Sequence, residues 1–287
     1  MDTNRPQDSL SLGSSSLDAA SLDETVRSVT ESSANISASA EELFTQAQRH
    51  MRTIKVFSWN LWYGGREIDD ALTKQQAVLQ HEDIDILFVQ ECFGGAGLRL
   101  GRVAGMTVAQ QDYDCAVLSP SPIRLLSTDT APFATAALVQ TRLGEVLAWS
   151  VHLAPWDYGP YRAASLPEDA ETVFSQRGEQ MRTEEAAKIL SETDRILAEL
   201  GELPVIIAGD FNVPSGLDWN GVGQPQTAWP ATQAFMDAGF TDAFRSAHPY
   251  PAKAPGLTWS QIEPREAEPR DRIDFIYARG LDVVAGT

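Results

Sequence analysis

Apolar and polar positions take on a regular rhythm near residue 53. Ile54, Val56, Ser58 and Asn60 fall on one face of a predicted strand and Phe57 and Trp59 on the other, because side chains alternate along a strand. Both faces carry bulk, which predicts a central strand. Ile68, Leu72 and Leu79 recur at helical spacing and predict a helix over 68–79, and the apolar run 84–89 predicts a buried strand. Short strands are expected at 116–118, 136–139 and 146–151, with Gly144 turning a hairpin between the last two. The longest helical pattern is 179–200, where Ile189, Leu190, Thr193, Leu197 and Leu200 repeat and Gly201 stops the helix. A strand at 204–208, a short helix at 231–238 closed by Gly239, and a last strand at 272–277 complete the pattern. Strands alternating with helices predict a mixed α/β architecture.

Residues 1–40 lack this rhythm. Serines recur at 9, 11, 14, 15, 16 and 21, aromatics are absent and acids outnumber bases, which predicts a disordered tail. Residues 41–52 predict a lead-in helix with Ser39 as N-cap and Glu42 three positions on. That segment packs beside the domain or serves a partner. The domain proper is then 53–287.

Charge narrows the function. The chain carries 40 acidic and 22 basic residues, a formal net charge of −18, so its surface repels nucleic acid and anionic membranes at long range. A non-specific binder held by phosphate contacts is disfavoured. A nuclease is not excluded, because a bound cation recruits phosphate locally. Cys92 and Cys115 lie in or beside apolar runs and are expected to be buried thiols rather than a disulfide or zinc site. No run approaches the ~20 apolar residues of a membrane span, and no basic-then-apolar leader opens the chain, so a cytoplasmic location is expected.

The chemistry gathers at predicted strand ends. Asn60 ends the first strand, Gln90 and Glu91 the second, His152 follows 146–151, Asp210 and Asn212 follow 204–208, and Asp274 lies within the last. Strand ends at one sheet edge converge in space, and such a set suits a hard cation and a phosphate. Taken alone, Asp274 needs a partner if it is buried, and Arg272 on the same face is one candidate.

The order of these motifs carries a resemblance. Val56-Phe57-Ser58-Trp59-Asn60, Val89-Gln90-Glu91, Ser150-Val151-His152-Leu153, Gly209-Asp210-Phe211-Asn212 and Arg272-Ile273-Asp274-Phe275-Ile276-Tyr277 resemble the ordered motifs of the endonuclease/exonuclease/phosphatase superfamily over residues 53–280. The resemblance implies a two-sheet α/β sandwich with its site at one rim, and divalent-metal-dependent phosphoester hydrolysis with Mg²⁺ or Mn²⁺. It implies Glu91 as principal metal ligand with Asn60 beside it. Asp210 would orient or deprotonate the attacking water, Asn212 would hold a phosphate oxygen, and His152 would contact the scissile phosphate or assist the leaving group. Asp274 would orient a second histidine.

That histidine belongs to a Ser-Asp-His segment which the family places some tens of residues further on. Here thirteen residues follow Asp274, and the histidines are His50, His81, His152 and His248, the last expected in a loop. Three accounts stay open: a chain shortened before its last strand, a second chain completing the site, or a catalytically impaired member that binds a phosphorylated ligand. A sandwich lacking its last strand exposes a sheet edge, which the N-terminal tail is expected to cover.

Substrate clues are fewer. Trp156, Tyr158 and Tyr161 follow His152 and read either as a lip for an organic group or as loop packing. Basic residues are sparse there, Arg162, Arg177 and Arg182 being the nearest, so a compact phosphoester is expected over long nucleic acid.

Overall fold

The computed structural model describes residues 52–165, 170–218, 228–259 and 270–287, with isolated positions before residue 52. The expected tail over 1–40 and lead-in helix over 41–52 lie almost entirely outside the described residues. The chain divides into the units Met1–Arg52 and Thr53–Thr287. No helix among the described residues is long and apolar enough to cross a membrane.

The second unit is a two-sheet sandwich with helices on its outer faces. One sheet has four strands, β1 (Val56–Asn60), β2 (Ile86–Gln90), β3 (Thr107–Gln110) and β4 (Ala116–Ser119), in the order β1-β2-β4-β3. The other has six strands: β5 (Ile123–Leu126), β6 (Ala134–Thr141), β7 (Gly144–His152), β8 (Val205–Asp210), β9 (Thr241–Asp242) and β10 (Asp274–Arg279). Their order is β5-β6-β7-β8-β10-β9. β1 with β2 and β7 with β8 run parallel, and the remaining pairs are antiparallel. Parallel partners need crossovers. α1 (Ala71–Gln80) supplies the first, and α3 (Gly159–Ser165), α4 (Ala170–Phe174) and the long α5 (Arg177–Leu200) lie in the second.

Strand alternation builds three layers of core. Ile86, Phe88, Val117, Ala137, Val146, Ala148, Ile206 and Ala208 meet between the sheets, with Ile54 and Val56 packed against them. Phe57, Trp59, Leu87 and Val89 turn outward, where Leu79 of α1 and Leu100 of α2 (Ala96–Ala104) cover them. On the opposite face Leu147, Trp149, Val205, Ile207 and Tyr277 pack against Ile189 and Ile196 of α5 and Phe235 of α6 (Pro230–Asp237). This αββα arrangement fulfils the sandwich expectation.

Two expectations need correction. β1 is not central: among the described residues it is the edge of the four-stranded sheet, its residues half-buried. Bulk on both faces reports what covers a strand above and below, whereas edge or centre is decided by backbone pairing, which side chains do not encode. The helix expected over 68–79 begins at Ala71. Ile68 and Leu72 are exposed, and Gln75 and Leu79 make its inward face. The thiols of Cys92 and Cys115 are buried and free, as expected, and burial, with Asp114 adding to it, pushes the Cys92 pKa up to about 12.

Candidate active site

The C-terminal ends of β1, β2, β7 and β8 and the start of β10 lie at one rim, and the sheet register brings their polar residues together. Asn60 pairs in register with Gln90, His152 with Asp210, and Asp210 with Asp274. The Asn60 amide donates to Glu91 Oε1 and to Asp210 Oδ2, at 3.0 Å each, and so ties one sheet to the other. The Trp62 backbone N–H donates to Asn60 Oδ1 at 2.9 Å, and that of Tyr63 donates to the Glu91 carboxylate.

Backbone strain concentrates here. Trp62, Tyr63, Glu91 and Asn212 all have φ between 50° and 55°, a left-handed conformation uncommon for non-glycine residues. Such strain persists only where surroundings enforce it, and it gathers at functional sites. At Asn212 the cause is visible. Its N–H turns back to Asp210 Oδ1 at 2.9 Å, while its side-chain amide donates to Leu153 O at 3.0 Å. Between them, Phe211 is fully buried against Phe235, Phe275 and Tyr277, with ring centroids 5.3–5.4 Å apart. Gly209 has φ 152°, and a Cβ there would lie 1.9 Å from Val151 O. The tetrapeptide is thus a close approach, a site carboxylate, an aromatic anchor and a turn. Gln90 and Ser150 are structural: Gln90 Nε2 donates to Ser150 Oγ at 3.0 Å, and Ser150 Oγ to Val89 O at 2.9 Å, across the sandwich.

His152 is held by a residue that sequence reasoning missed. Its Nδ1 lies 3.0 and 3.1 Å from the two Asp114 carboxylate oxygens, and its Nε2 faces Asp210 Oδ2 at 4.0 Å. Asp114 Oδ1 also accepts the Glu91 N–H at 2.8 Å, which couples imidazole position to Glu91 position. Burial alone pulls the His152 pKa down. The Asp114 hydrogen bond, with the charges of Asp210, Asp114 and Glu91, outweighs it and raises the value to about 9. Near neutral pH the ring is therefore an imidazolium. The only sequence signal for Asp114 was its place at the mouth of the apolar run 115–118, mirroring Glu91 at the end of 86–90.

Asp274 does not pair with Arg272. That guanidinium turns to Asp242 at 2.6 Å and to Asp218 at 2.9 Å in a buried network shared with Arg245. Asp274 instead faces Asp210. Burial and the Asp210 charge raise its pKa to about 8, against smaller opposing effects of the Thr258 hydroxyl and His152. Asp210 is raised as well, by burial first, with His152, the Asn212 N–H and the Asn60 amide opposing. The Asp210 charge, at the paired position of the adjacent strand, thus disfavours ionisation of Asp274. His248 lies elsewhere, with Nε2 2.7 Å from Gly286 O.

Four carboxylates, Glu91, Asp114, Asp210 and Asp274, therefore surround this rim. The salt bridges that reach them among the described residues come from His152 alone. No group of three or more His, Cys, Asp or Glu among the described residues is arranged to ligate one ion. A net-negative set of hard oxygen donors without a closed cage fits a cation such as Mg²⁺, which takes one or two carboxylates and keeps its waters. The two residues expected as ligands, Glu91 and Asn60, stand side by side at this rim.

The remaining expected residues lie on the loop after His152. Trp156 and Tyr161 are exposed, whereas Tyr158 is buried and its hydroxyl donates to Asp271 Oδ2 at 2.8 Å. Arg182 is not placed for phosphate. It is fully buried, and it donates to the carbonyls of Ala154, Trp156 and Asp157 at 2.7–3.0 Å and pairs with Glu179 at 2.5 Å.

A two-sheet sandwich with carboxylates, an imidazole and an amide converging at one rim is the architecture of a phosphoester hydrolase. The profile of the Endonuclease/Exonuclease/phosphatase family matches residues 57–287, and the chain belongs to that family. An uncharacterized protein of Caenorhabditis elegans is 28% identical over 252 residues, covering 79% of each chain. Among solved structures, TDP2 from Caenorhabditis elegans superposes with a TM-score of 0.50 at 18% identity, covering 79% of this chain. This chain spans 64% of that one, and 84% of a truncated form of the same protein at the same TM-score. These likenesses establish the fold.

Proposed function

We propose that the chain hydrolyses a phosphoester through a water activated at this rim, with Mg²⁺ or Mn²⁺ held by Glu91 and Asn60. The observation that carries this reading is the Asn60 amide bridging Glu91 and Asp210, because it joins the expected metal side to the expected base side. The cation, when bound, supplies positive charge to phosphoryl oxygens and lowers the pKa of its water. Asp210, backed by the Asn212 N–H, orients the attacking water and accepts its proton. The His152 imidazolium, fixed by Asp114, presents Nε2–H to a phosphoryl oxygen or to the leaving oxygen. Asp274, with its pKa raised to about 8, stays protonated near neutral pH and so limits its repulsion with Asp210. Asn212 sets the Asp210 carboxylate and borders the phosphate. The net charge of −18 favours a compact phosphoester over long nucleic acid.

Hydrolysis of bis-p-nitrophenyl phosphate with Mg²⁺, Mn²⁺ or chelator tests the reading, with Mn²⁺ titration of Glu91→Gln beside it. Metal-dependent turnover, and loss of Mn²⁺ binding in the variant, are expected. Turnover undiminished by chelator would remove the metal from the account. A binding-only reading has one observation in its favour: among the described residues, Asp274 faces no histidine but His152. Absence of turnover with Mn²⁺ binding intact would select it.

A further inference from the structure

The two residues that follow His152 have all their backbone polar groups engaged. The Leu153 N–H donates to Asp210 O at 2.9 Å, and Leu153 O accepts the Asn212 side-chain amide at 3.0 Å. The Ala154 N–H donates to Glu185 Oε2 at 2.8 Å, and Ala154 O accepts from Arg182 at 2.7 Å. This buried pair is therefore clamped between the turn at Asp210–Asn212 and α5. Arg182 and Glu185 are three residues apart in α5 and so share one face of it.

The two helix residues differ in what they hold. Arg182 divides its donors among the carbonyls of Ala154, Trp156 and Asp157 and the Glu179 carboxylate, and so secures the loop as a whole. Among the described residues, the Ala154 N–H is the one hydrogen-bond donor to Glu185. Burial raises the Glu185 pKa to about 7, against the Ala154 N–H and the charges of Arg182 and His152. An aliphatic side chain here would meet no such desolvation cost but would leave the Ala154 N–H without a partner. Ala154 adjoins Leu153, which is bonded to both Asp210 and Asn212, and lies two residues from His152, whose Nε2 stands 4.0 Å from Asp210 Oδ2. Asp114 sets the imidazole ring. Glu185 sets the backbone that leads away from it.

We propose that Glu185 is a positioning residue for His152 and Asn212, acting through the Ala154 N–H. What it supplies is an acceptor oxygen at a fixed reach, not a negative charge. Releasing Ala154 loosens at once the strand end that carries the imidazole and the Leu153 carbonyl that holds the Asn212 amide. A misplacement of about 1 Å in a reacting group can cost about a hundredfold in rate. The inference rests on the proposed hydrolysis, whose reacting groups it supports from α5.

Two substitutions in the full chain separate reach from charge. Glu185→Gln keeps the length and an acceptor oxygen, whereas Glu185→Asp keeps the carboxyl and draws it back by one methylene. Turnover of bis-p-nitrophenyl phosphate is measured at saturating Mn²⁺ below pH 7, where the Glu185 carboxyl, raised to about 7, is largely protonated and Gln matches its shape and charge. Glu185→Gln is expected to keep kcat within about twofold, and Glu185→Asp to lower it at least about tenfold with KM changed less than about twofold. An electrostatic role would reverse that order, and a purely structural one would lower Tm while leaving kcat of the folded protein unchanged, so melts and circular dichroism accompany the kinetics. A kcat in Glu185→Asp equal to or above that of Glu185→Gln overturns the proposal. The His152 Hε1 signal, recorded in chelator at the same pH, gives a readout free of turnover. It should stay in place in Glu185→Gln and be displaced in Glu185→Asp. If the signal follows this order while the parent does not hydrolyse the ester, the positioning of His152 stands and the hydrolase reading falls. Coincident signals in the two variants overturn the positioning whatever the turnover.

Discussion

Replacing Asp114 by Asn isolates what the carboxylate contributes to His152. The amide keeps the size and leaves an oxygen to accept the Glu91 N–H, now bonded at 2.8 Å, so Glu91 should stay in place. What is lost is the charge facing Nδ1 at 3.0–3.1 Å. A hydrogen bond to a charged group contributes about 1.5–3 kcal/mol, and one pKa unit corresponds to about 1.4 kcal/mol. The His152 pKa should therefore fall from about 9 by about one to two units. The sign for stability follows. A histidine raised from 6.5 to about 9 stabilises the fold fully below pH 6.5 and loses that contribution as pH rises through 9, and Asp114→Asn should narrow that window from above. The assay is an NMR titration of the imidazole Hε1 signals in chelator. The chain has only four histidines, and His152→Gln identifies the signal. A titration midpoint unchanged in Asp114→Asn would refute the assignment of Asp114 as the group that holds His152 charged.

Other expectations follow from the same contacts. Arg182→Met should destabilise the fold by about 3–5 kcal/mol in denaturant unfolding, because it strands buried Glu179 and three carbonyls; a loss below about 1 kcal/mol would contradict that role. Glu185, lifted to about 7 chiefly by burial, holds a proton in the folded state that the unfolded chain releases near 4.5. Stability should fall as pH rises between these values, and Glu185→Gln should flatten that slope in thermal melts. Gly209→Ala forces a Cβ to 1.9 Å from Val151 O and should cost about 3 kcal/mol along with the site geometry; a soluble variant of parental Tm would disprove the close approach.

Much of this was legible in the sequence because period-2 and period-3.6 patterns report directly which face is buried. β1, β2, β4, β6, β7, β8, β10, α5 and the outward polar ends of β1, β2, β7 and β8 follow from that pattern, whereas the short β3, β5 and β9 were not read from it. The rim residues Asn60, Glu91, His152 and Asp210 were found because each ends an apolar run, where a polar side chain faces the loop side of the sheet. Asp114 was missed because it precedes its strand rather than ending it, and β4 runs antiparallel, so its beginning meets the others' ends. The Asp274–Arg272 pairing failed for a different reason. Same-face proximity along one strand is local, whereas Asp218 and Asp242 arrive from segments distant in sequence and offer Arg272 bidentate partners. Arg182 was read only as one of the few basic residues near the loop after β7, because charge is visible in a sequence and its burial against Glu179 and backbone carbonyls is not.

The central claim is that Asp210 activates water within a rim completed by Glu91. The most direct measurement compares turnover of bis-p-nitrophenyl phosphate by the parent chain and Asp210→Asn at saturating Mn²⁺, with Mn²⁺ affinity measured in both. The account predicts turnover reduced at least about a hundredfold in a variant that still binds Mn²⁺. Turnover in Asp210→Asn equal to the parent's would contradict it.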